Sequence, residues 1–219
     1  MQQKDISKVM KNLAEEIKKL PLPIISEYVV KEGRNPFKTL ISTVLSLRTK
    51  DSTTSKATDR LFALADNPKD MMQLSVKQIE KAIYPVGFYI TKAKRIPEIC
   101  KILLEKFDGK VPCEIDVLLT FPGVGRKTAN LVLTQGYGKL GICVDTHVHR
   151  ISNRLGYVKT KTPEETEFAL RKKLPTEYWI SYNDYLVAWG QNVCKPISPL
   201  CSQCKIFQYC DRVGVKKSR

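Results

Sequence analysis

Phe121-Pro122-Gly123-Val124-Gly125-Arg126-Lys127-Thr128-Ala129-Asn130 is the stretch on which the reading of this chain turns. Ahead of it, Glu114 to Phe121 is short and apolar; behind it, Arg126 to about Gly136 resumes helical character, so a tight turn joins two helices. Two glycines allow backbone conformations barred to other residues, and successive N–H groups at a helix N-terminus can then cradle an anion. An ordinary helix–helix turn is the alternative for a lone Gly-x-Gly. The charge favours the anion: 37 Lys and Arg against 22 Asp and Glu give a formal +15 over 219 residues. Such a balance points to a polyanionic partner, nucleic acid first.

Outward from the turn, the periodicity is helical almost everywhere. Val9, Leu13, Ile17 and Leu20 share a face of a first helix within Met1 to Leu20, broken at Pro21-Leu22-Pro23. Leu40, Ile41, Val44 and Leu45 form a second face after Pro36. Asp51 or Ser52 suits the N-cap of a helix running to about Ala65, and Ser75 starts another that ends at Tyr84-Pro85-Val86-Gly87. Ile96, Cys100 and Leu103 mark a helix stopped by Asp108-Gly109. Thr162-Pro163-Glu164-Glu165 reads as a capped helix start, and a last helix spans roughly Tyr178 to Gly190. No alternating strand pattern or fixed-period repeat is present, so the fold is read as all-α, with the first and last helical groups packed together and the middle a separate lobe. Hydrophobic residues make up 42%, which argues against disorder. No run reaches the roughly 20 apolar residues of a membrane span, and the charged N-terminus lacks a secretory signal. The expectation is an intracellular protein.

Four side-chain groups carry candidate chemistry. Lys127 falls in the first turn of a helix, where the macrodipole and the neighbouring Arg126 both act to lower its pKa. A neutral lysine amine is a nucleophile that forms Schiff bases; a solvated charge or phosphate contact is the plainer reading. Asp145 opens the helix marked by Val148, Ile151 and Leu155, as its N-cap and as a carboxylate that can still face a ligand. His147 and His149, two apart on that helix, point in different directions and do not suit a shared metal. Cys194, Cys201, Cys204 and Cys210 crowd into seventeen residues with spacing C-x6-C-x2-C-x5-C. Structural zinc prefers two close pairs, so this uneven spacing favours a [4Fe–4S] cluster. Cys100, Cys113 and Cys143 read as buried thiols, kept reduced in the cytosol.

Taken together, the hairpin stretch, Val144-Asp145-Thr146-His147-Val148-His149-Arg150 and the cysteine loop resemble the endonuclease III family of DNA glycosylases. The likeness extends from about Pro36, through Ile83-Tyr84-Pro85-Val86-Gly87-Phe88, to Cys210. It implies a helix-hairpin-helix fold of two helical domains with the substrate cleft between them. Residues 29–139 would form a six-helix barrel domain; residues 1–28 plus 140–219, from both termini, would carry the iron–sulfur loop. It implies a bifunctional N-glycosylase and abasic-site lyase for oxidised pyrimidines, acting as a monomer on double-stranded DNA, in cytoplasm and nucleoid or in a nucleus. Lys127 would be the nucleophile and Asp145 its assisting carboxylate. Carbonyls of Leu119, Phe121 and Val124 would hold a Na⁺ or K⁺ beside the phosphate.

The same resemblance assigns Gly123, Gly125 and Arg126 to the DNA backbone, and sets the loop around Lys195 and Lys205 against phosphate. The gap left by a flipped nucleotide would be filled from Ser46-Leu47-Arg48-Thr49-Lys50-Asp51 and Gly87-Phe88-Tyr89. Here the chain departs from the family pattern, with Arg48 where many members carry Gln and Phe88 in place of a common Leu. A phosphate contact for Arg48 and core packing for Phe88 are the plainer readings. Two other functions share parts of the pattern. Monofunctional mismatch glycosylases lack the nucleophilic lysine, and a noncatalytic DNA-binding module would need neither Lys127 nor Asp145.

Overall fold

The structure is a computed structural model that describes residues 5–219, with no strand among them. The start of the first helical pattern, Met1 to Lys4, lies outside the described residues. Contacts divide the chain into two units, Ile24–Lys139 and a second made from the N-terminal residues up to Pro23 with Leu140–Arg219.

In the unit from both termini, α1 (Ile6–Ile17) buries Ile6, Val9, Leu13 and Ile17 along one stripe. A helix of that length is marginal alone, so the stripe has to be covered to hold it. It is covered by α12 (Trp179–Asn192), which also packs on α10 (Thr146–Arg154). Tyr182, Leu186 and Trp189 meet Val148, Ile151 and Leu155 in one core, and α11 (Pro163–Lys173) closes against α10. The Thr162 hydroxyl caps α11 by accepting from the Glu165 amide at 3.1 Å, while the Glu165 carboxylate reaches back to the Lys161 amide at 2.8 Å. α1 ends at Ile17, short of the proline break; Leu20 closes a tighter turn through its amide to the Ile17 carbonyl.

The other unit contains α2 (Ile24–Glu32), α3 (Pro36–Ser46), α4 (Asp51–Phe62), α5 (Pro68–Met71), α6 (Val76–Ile83), α7 (Tyr89–Phe107), α8 (Ile115–Leu118) and α9 (Arg126–Leu131). Leu40, Ile41, Val44, Leu45, Leu61, Ile83, Ile96 and Leu103 lie in its core. Ser75 forms a complete capping box with Gln78, as its position suggests. Asp51 and Ser52 are not the cap of α4: Lys50 holds that place, and Asp51 sits in the first turn, where its charge suits the macrodipole. The helix expected from Arg126 to Gly136 widens into a π turn over Val132–Gly136. Arg34 meets the widened carbonyls, donating to Thr134 O at 2.7 Å and Gln135 O at 3.0 Å. Cys113 is not buried like Cys100 and Cys143; its sulfur lies 2.8 Å from the Lys139 amine.

Candidate functional site

Between α8 and α9 the chain turns through Leu119–Gly125. The Val124 amide donates to the Phe121 carbonyl at 3.1 Å, and the Phe121 ring, buried against Phe107 at 5.8 Å, pins the turn to the core. Gly123 has φ +76°, which favours glycine, and a Cβ there would lie 2.9 Å from Arg95 Nη1, so the arginine side chain would have to shift. Gly125 does not share that need, contrary to the sequence expectation: its φ of −103° and ψ of 179° are open to any residue. What distinguishes Gly125 is that a Cβ would meet nothing within 4 Å, leaving its backbone face open to approach. Arg126 and Lys127, both half-buried, follow as the first residues of α9.

In the other unit, buried Ile142, Cys143 and Val144 lead to Asp145, and Asn183 holds the Cys143 carbonyl at 3.2 Å. Asp145 Oδ1 accepts from the amides of His147 at 2.8 Å and Val148 at 2.9 Å, capping α10 and leaving Oδ2 outside the cap. The histidines go separate ways. His147 Nδ1 lies 3.1 Å from Arg150 Nη2, and His149 Nδ1 lies 2.7 Å from the Thr166 hydroxyl.

Cys194, Cys201, Cys204 and Cys210 line one pocket, walled by apolar Ile151, Leu155, Trp189 and Ile206. Burial pushes the Cys204 thiol up to about 11 and raises that of Cys210. Among the described residues, no three His, Cys, Asp or Glu side chains converge on a position for a single ion. The loop around the cavity is held by two arginines that sequence reasoning did not single out. Arg150 Nη2 donates to Gly190 O at 3.1 Å and Cys194 O at 2.8 Å. Arg154 donates to Lys195 O at 2.7 Å, Pro196 O at 2.6 Å and Cys194 Sγ at 3.4 Å. Lys195 is half-buried and Lys205 exposed.

Arg48 and Phe88 stand together in the unit that carries the hairpin. Both have left-handed backbones, φ 55° and 59°, and the guanidinium lies 5.5 Å from the ring centroid. Phe88 is 61% exposed, so core packing does not account for it. Beneath them lies Lys92, 5% exposed, its amine bonded to the Leu45 and Leu47 carbonyls at 2.8 and 2.6 Å. Burial lowers its pKa to about 8. A signal for it was available: Lys92, Ile96 and Cys100 are spaced i, i+4, i+8, which puts the lysine on the apolar face of α7.

Residues 41–176 match the HhH-GPD superfamily of base excision DNA repair proteins. The chain is 50% identical over 177 residues to endonuclease III of Thermotoga maritima, spanning 81% of this chain and 83% of that one. It superposes on a non-covalent endonuclease III–DNA complex with a TM-score of 0.85 and 33% identity, covering 97% of this chain and 96% of that one. A trapped covalent endonuclease III–DNA intermediate with an estranged adenine gives the same TM-score and identity, covering 97% of each chain.

Proposed function

The chain belongs to the HhH-GPD superfamily of base excision DNA repair proteins, and within it to the endonuclease III family; on that premise we propose that Lys127 and Asp145 are its catalytic residues. It is a bifunctional DNA glycosylase and abasic-site lyase for oxidised pyrimidines, and its partner is double-stranded DNA carrying damaged bases. One observation above all supports the assignment of Lys127. A half-buried lysine lies in the first turn of the helix that follows a glycine turn, in a chain 33% identical to a protein trapped covalently on DNA.

A base stacked in a duplex hides C1′, so the nucleotide must first leave the helix, at a cost that damage reduces. The turn at Gly123, Gly125 and Arg126, with Lys195 and Lys205, holds the phosphates; Arg48 and Phe88 fill the gap. The lone pair of the Lys127 amine then forms a bond to C1′ as the glycosidic bond breaks, and the electron pair of the broken bond leaves with the base. Asp145 offsets the positive charge that builds on the sugar; with Oδ1 committed to the helix cap, Oδ2 is the oxygen available to move protons. Opening of the sugar gives a Schiff base on Lys127. Loss of a 2′ proton then breaks the C3′–O bond and expels the 3′ phosphate.

On this reading the barrel domain bearing the hairpin, expected over residues 29–139, corresponds to the unit Ile24–Lys139, which starts five residues earlier, and the unit from both termini is the iron–sulfur domain. The cysteine cavity fits a [4Fe–4S] cluster held by Cys194, Cys201, Cys204 and Cys210 better than one zinc ion. Structural zinc prefers two close ligand pairs, whereas in C-x6-C-x2-C-x5-C only Cys201 and Cys204 form one. When bound, the cluster supplies cross-linking of the loop and no redox step. For a Na⁺ or K⁺ on the carbonyls of Leu119, Phe121 and Val124, Phe121 offers one remaining lone pair, the other accepting the Val124 amide. No helix among the described residues is long and apolar enough to cross a membrane. A DNA substrate argues for work inside the cell, in cytoplasm and nucleoid or in a nucleus.

The test is a duplex containing thymine glycol, scored separately for base release, strand cleavage and borohydride trapping. Wild type should release base, nick and cross-link, while Lys127→Gln should bind the duplex yet give neither nick nor adduct. Base release without nicking in the wild type would make the enzyme monofunctional. Wild-type cross-linking by Lys127→Gln would move the nucleophile to another amine.

A further inference from the structure

The last carbonyls of a helix lack donors from the helix itself and attract a cation. At the end of α3 those carbonyls belong to Leu45 and Leu47, and the cation is the buried ammonium of Lys92, reaching over from the first turns of α7. A cap would need no more. Yet the same ammonium also lies 3.4 Å from the Thr49 hydroxyl, and that hydroxyl accepts the Gly87 amide at 3.1 Å. Lys92 thus holds the residues on both sides of Arg48, and through Thr49 it holds the residue before Phe88. Its own amide donates to the Phe88 carbonyl at 3.0 Å. The two loops touch so closely that a Cβ on Gly87 would lie 2.5 Å from the Arg48 carbonyl oxygen. Left-handed backbone at two non-glycine residues persists only where the surroundings enforce it.

We propose that Lys92 is a positioning residue for strand parting, locking the Arg48 loop to the Phe88 turn so that the two side chains enter DNA as one preset wedge. The proposal rests on the reading of Arg48 and Phe88 as the plug of the flipped-out nucleotide. A wedge fixed before it meets DNA spends none of its binding on ordering two mobile loops. Lys92 touches no reacting atom and acts through the two loops alone.

The test compares single-turnover excision of thymine glycol from a fully paired duplex and from a mismatched bubble, in which the lesion is already unstacked. Lys92→Met, which fills the same space without the ammonium, should slow excision from the duplex about tenfold or more while changing the bubble rate by about twofold or less. Thr49→Val cuts the link to Gly87 but spares the two carbonyl contacts, and should show the same selective defect in milder form. Because both variants sever one chain of contacts, the double variant should be no slower than Lys92→Met. A loss of general structure would slow both substrates alike, and that outcome, or no change on either, overturns the proposal. If Lys92→Met does not fold, Thr49→Val decides by the same comparison. Phe88→Ala, run in parallel, separates the two levels. A duplex-selective defect in Phe88→Ala without one in Lys92→Met or Thr49→Val leaves the plug standing and removes Lys92 from it; equal slowing by Phe88→Ala overturns both.

Discussion

The hairpin turn and the cysteine loop are both short irregular segments with backbone turns of their own, but what ties each to its unit differs. The turn is fixed from within, by the Val124 to Phe121 backbone bond, by a left-handed Gly123 and by an apolar pin in its own core. The cysteine loop makes short backbone turns of its own, such as Cys204 N to Cys201 O at 3.2 Å and Cys210 N to Phe207 O at 3.1 Å, but it is tied to the rest of its unit from outside, by guanidinium groups of α10 donating to the Gly190, Cys194, Lys195 and Pro196 carbonyls and, on the proposed reading, by a cluster on its four sulfurs. A segment held by its own backbone loses little when one side chain changes. A segment held by cross-links loses them together.

The largest expected effect follows from that contrast and uses one substitution in two places. Cys204→Ala removes a proposed cluster ligand, so the protein should lose its yellow-brown colour and bound iron, and the unit from both termini should lose its cooperative unfolding. Cys100→Ala empties part of the other core, where Cys100 is fully buried, and should cost only about 1–2 kcal/mol with iron content unchanged. Iron analysis and thermal unfolding of the two variants check this. Equal destabilisation, or stoichiometric zinc in a colourless wild type, would mean that no cluster bridges the loop.

Asp145 sharpens the comparison by putting a cap and a catalytic charge on one side chain. Asparagine caps a helix as well as aspartate does, so Asp145→Asn should keep the bonds to the His147 and Val148 amides and the melting temperature. Its excision rate should fall about 10²–10⁴-fold, the range for a positioned acid–base group. Asp145→Ala should show the same rate loss and, in addition, about 0.5–2 kcal/mol of lost stability from the missing cap. A rapid Asp145→Asn enzyme would reduce this residue to its structural role.

How much of this was legible beforehand follows the range of each interaction along the chain. The Ser75 and Thr162 caps and the hairpin are written within a few residues and could be read directly. Lys92 reaches its acceptors across 43 to 47 residues and Arg34 across 100 and 101, and no local pattern encodes such partners. The π turn was not legible either: Val132-Leu133-Thr134-Gln135-Gly136 reads as ordinary helix, and the carbonyls it frees are met by that distant arginine. Spacing pointed to the cysteines and a helix start to Asp145, but nothing pointed to Arg150 or Arg154, which donate to carbonyls about 40 residues away. The glycines were legible as a pair and misread as equals.

That inequality supplies the smallest effect. Gly123 is left-handed with Arg95 against it, so Gly123→Ala forces a strained backbone, at about 1–2 kcal/mol, and displaces the guanidinium. Gly125 has ordinary extended backbone and open space, so Gly125→Ala should leave the fold intact and change its stability by less than about 1 kcal/mol, the restricted unfolded chain being offset by a poorer N-cap for α9. The added methyl instead occupies the face where a phosphate would approach the backbone. Phosphate contacts carry no sequence information, so affinity for damaged and undamaged duplex should fall together, by a few-fold. No charge is removed, and the steep dependence of affinity on salt should keep its slope. Binding titrations at several salt concentrations, set beside thermal unfolding of both glycine variants, measure all three quantities. Unaltered affinity in Gly125→Ala would show that DNA does not approach this backbone, and a loss confined to damaged duplex would make the turn a lesion reader instead of a phosphate clamp.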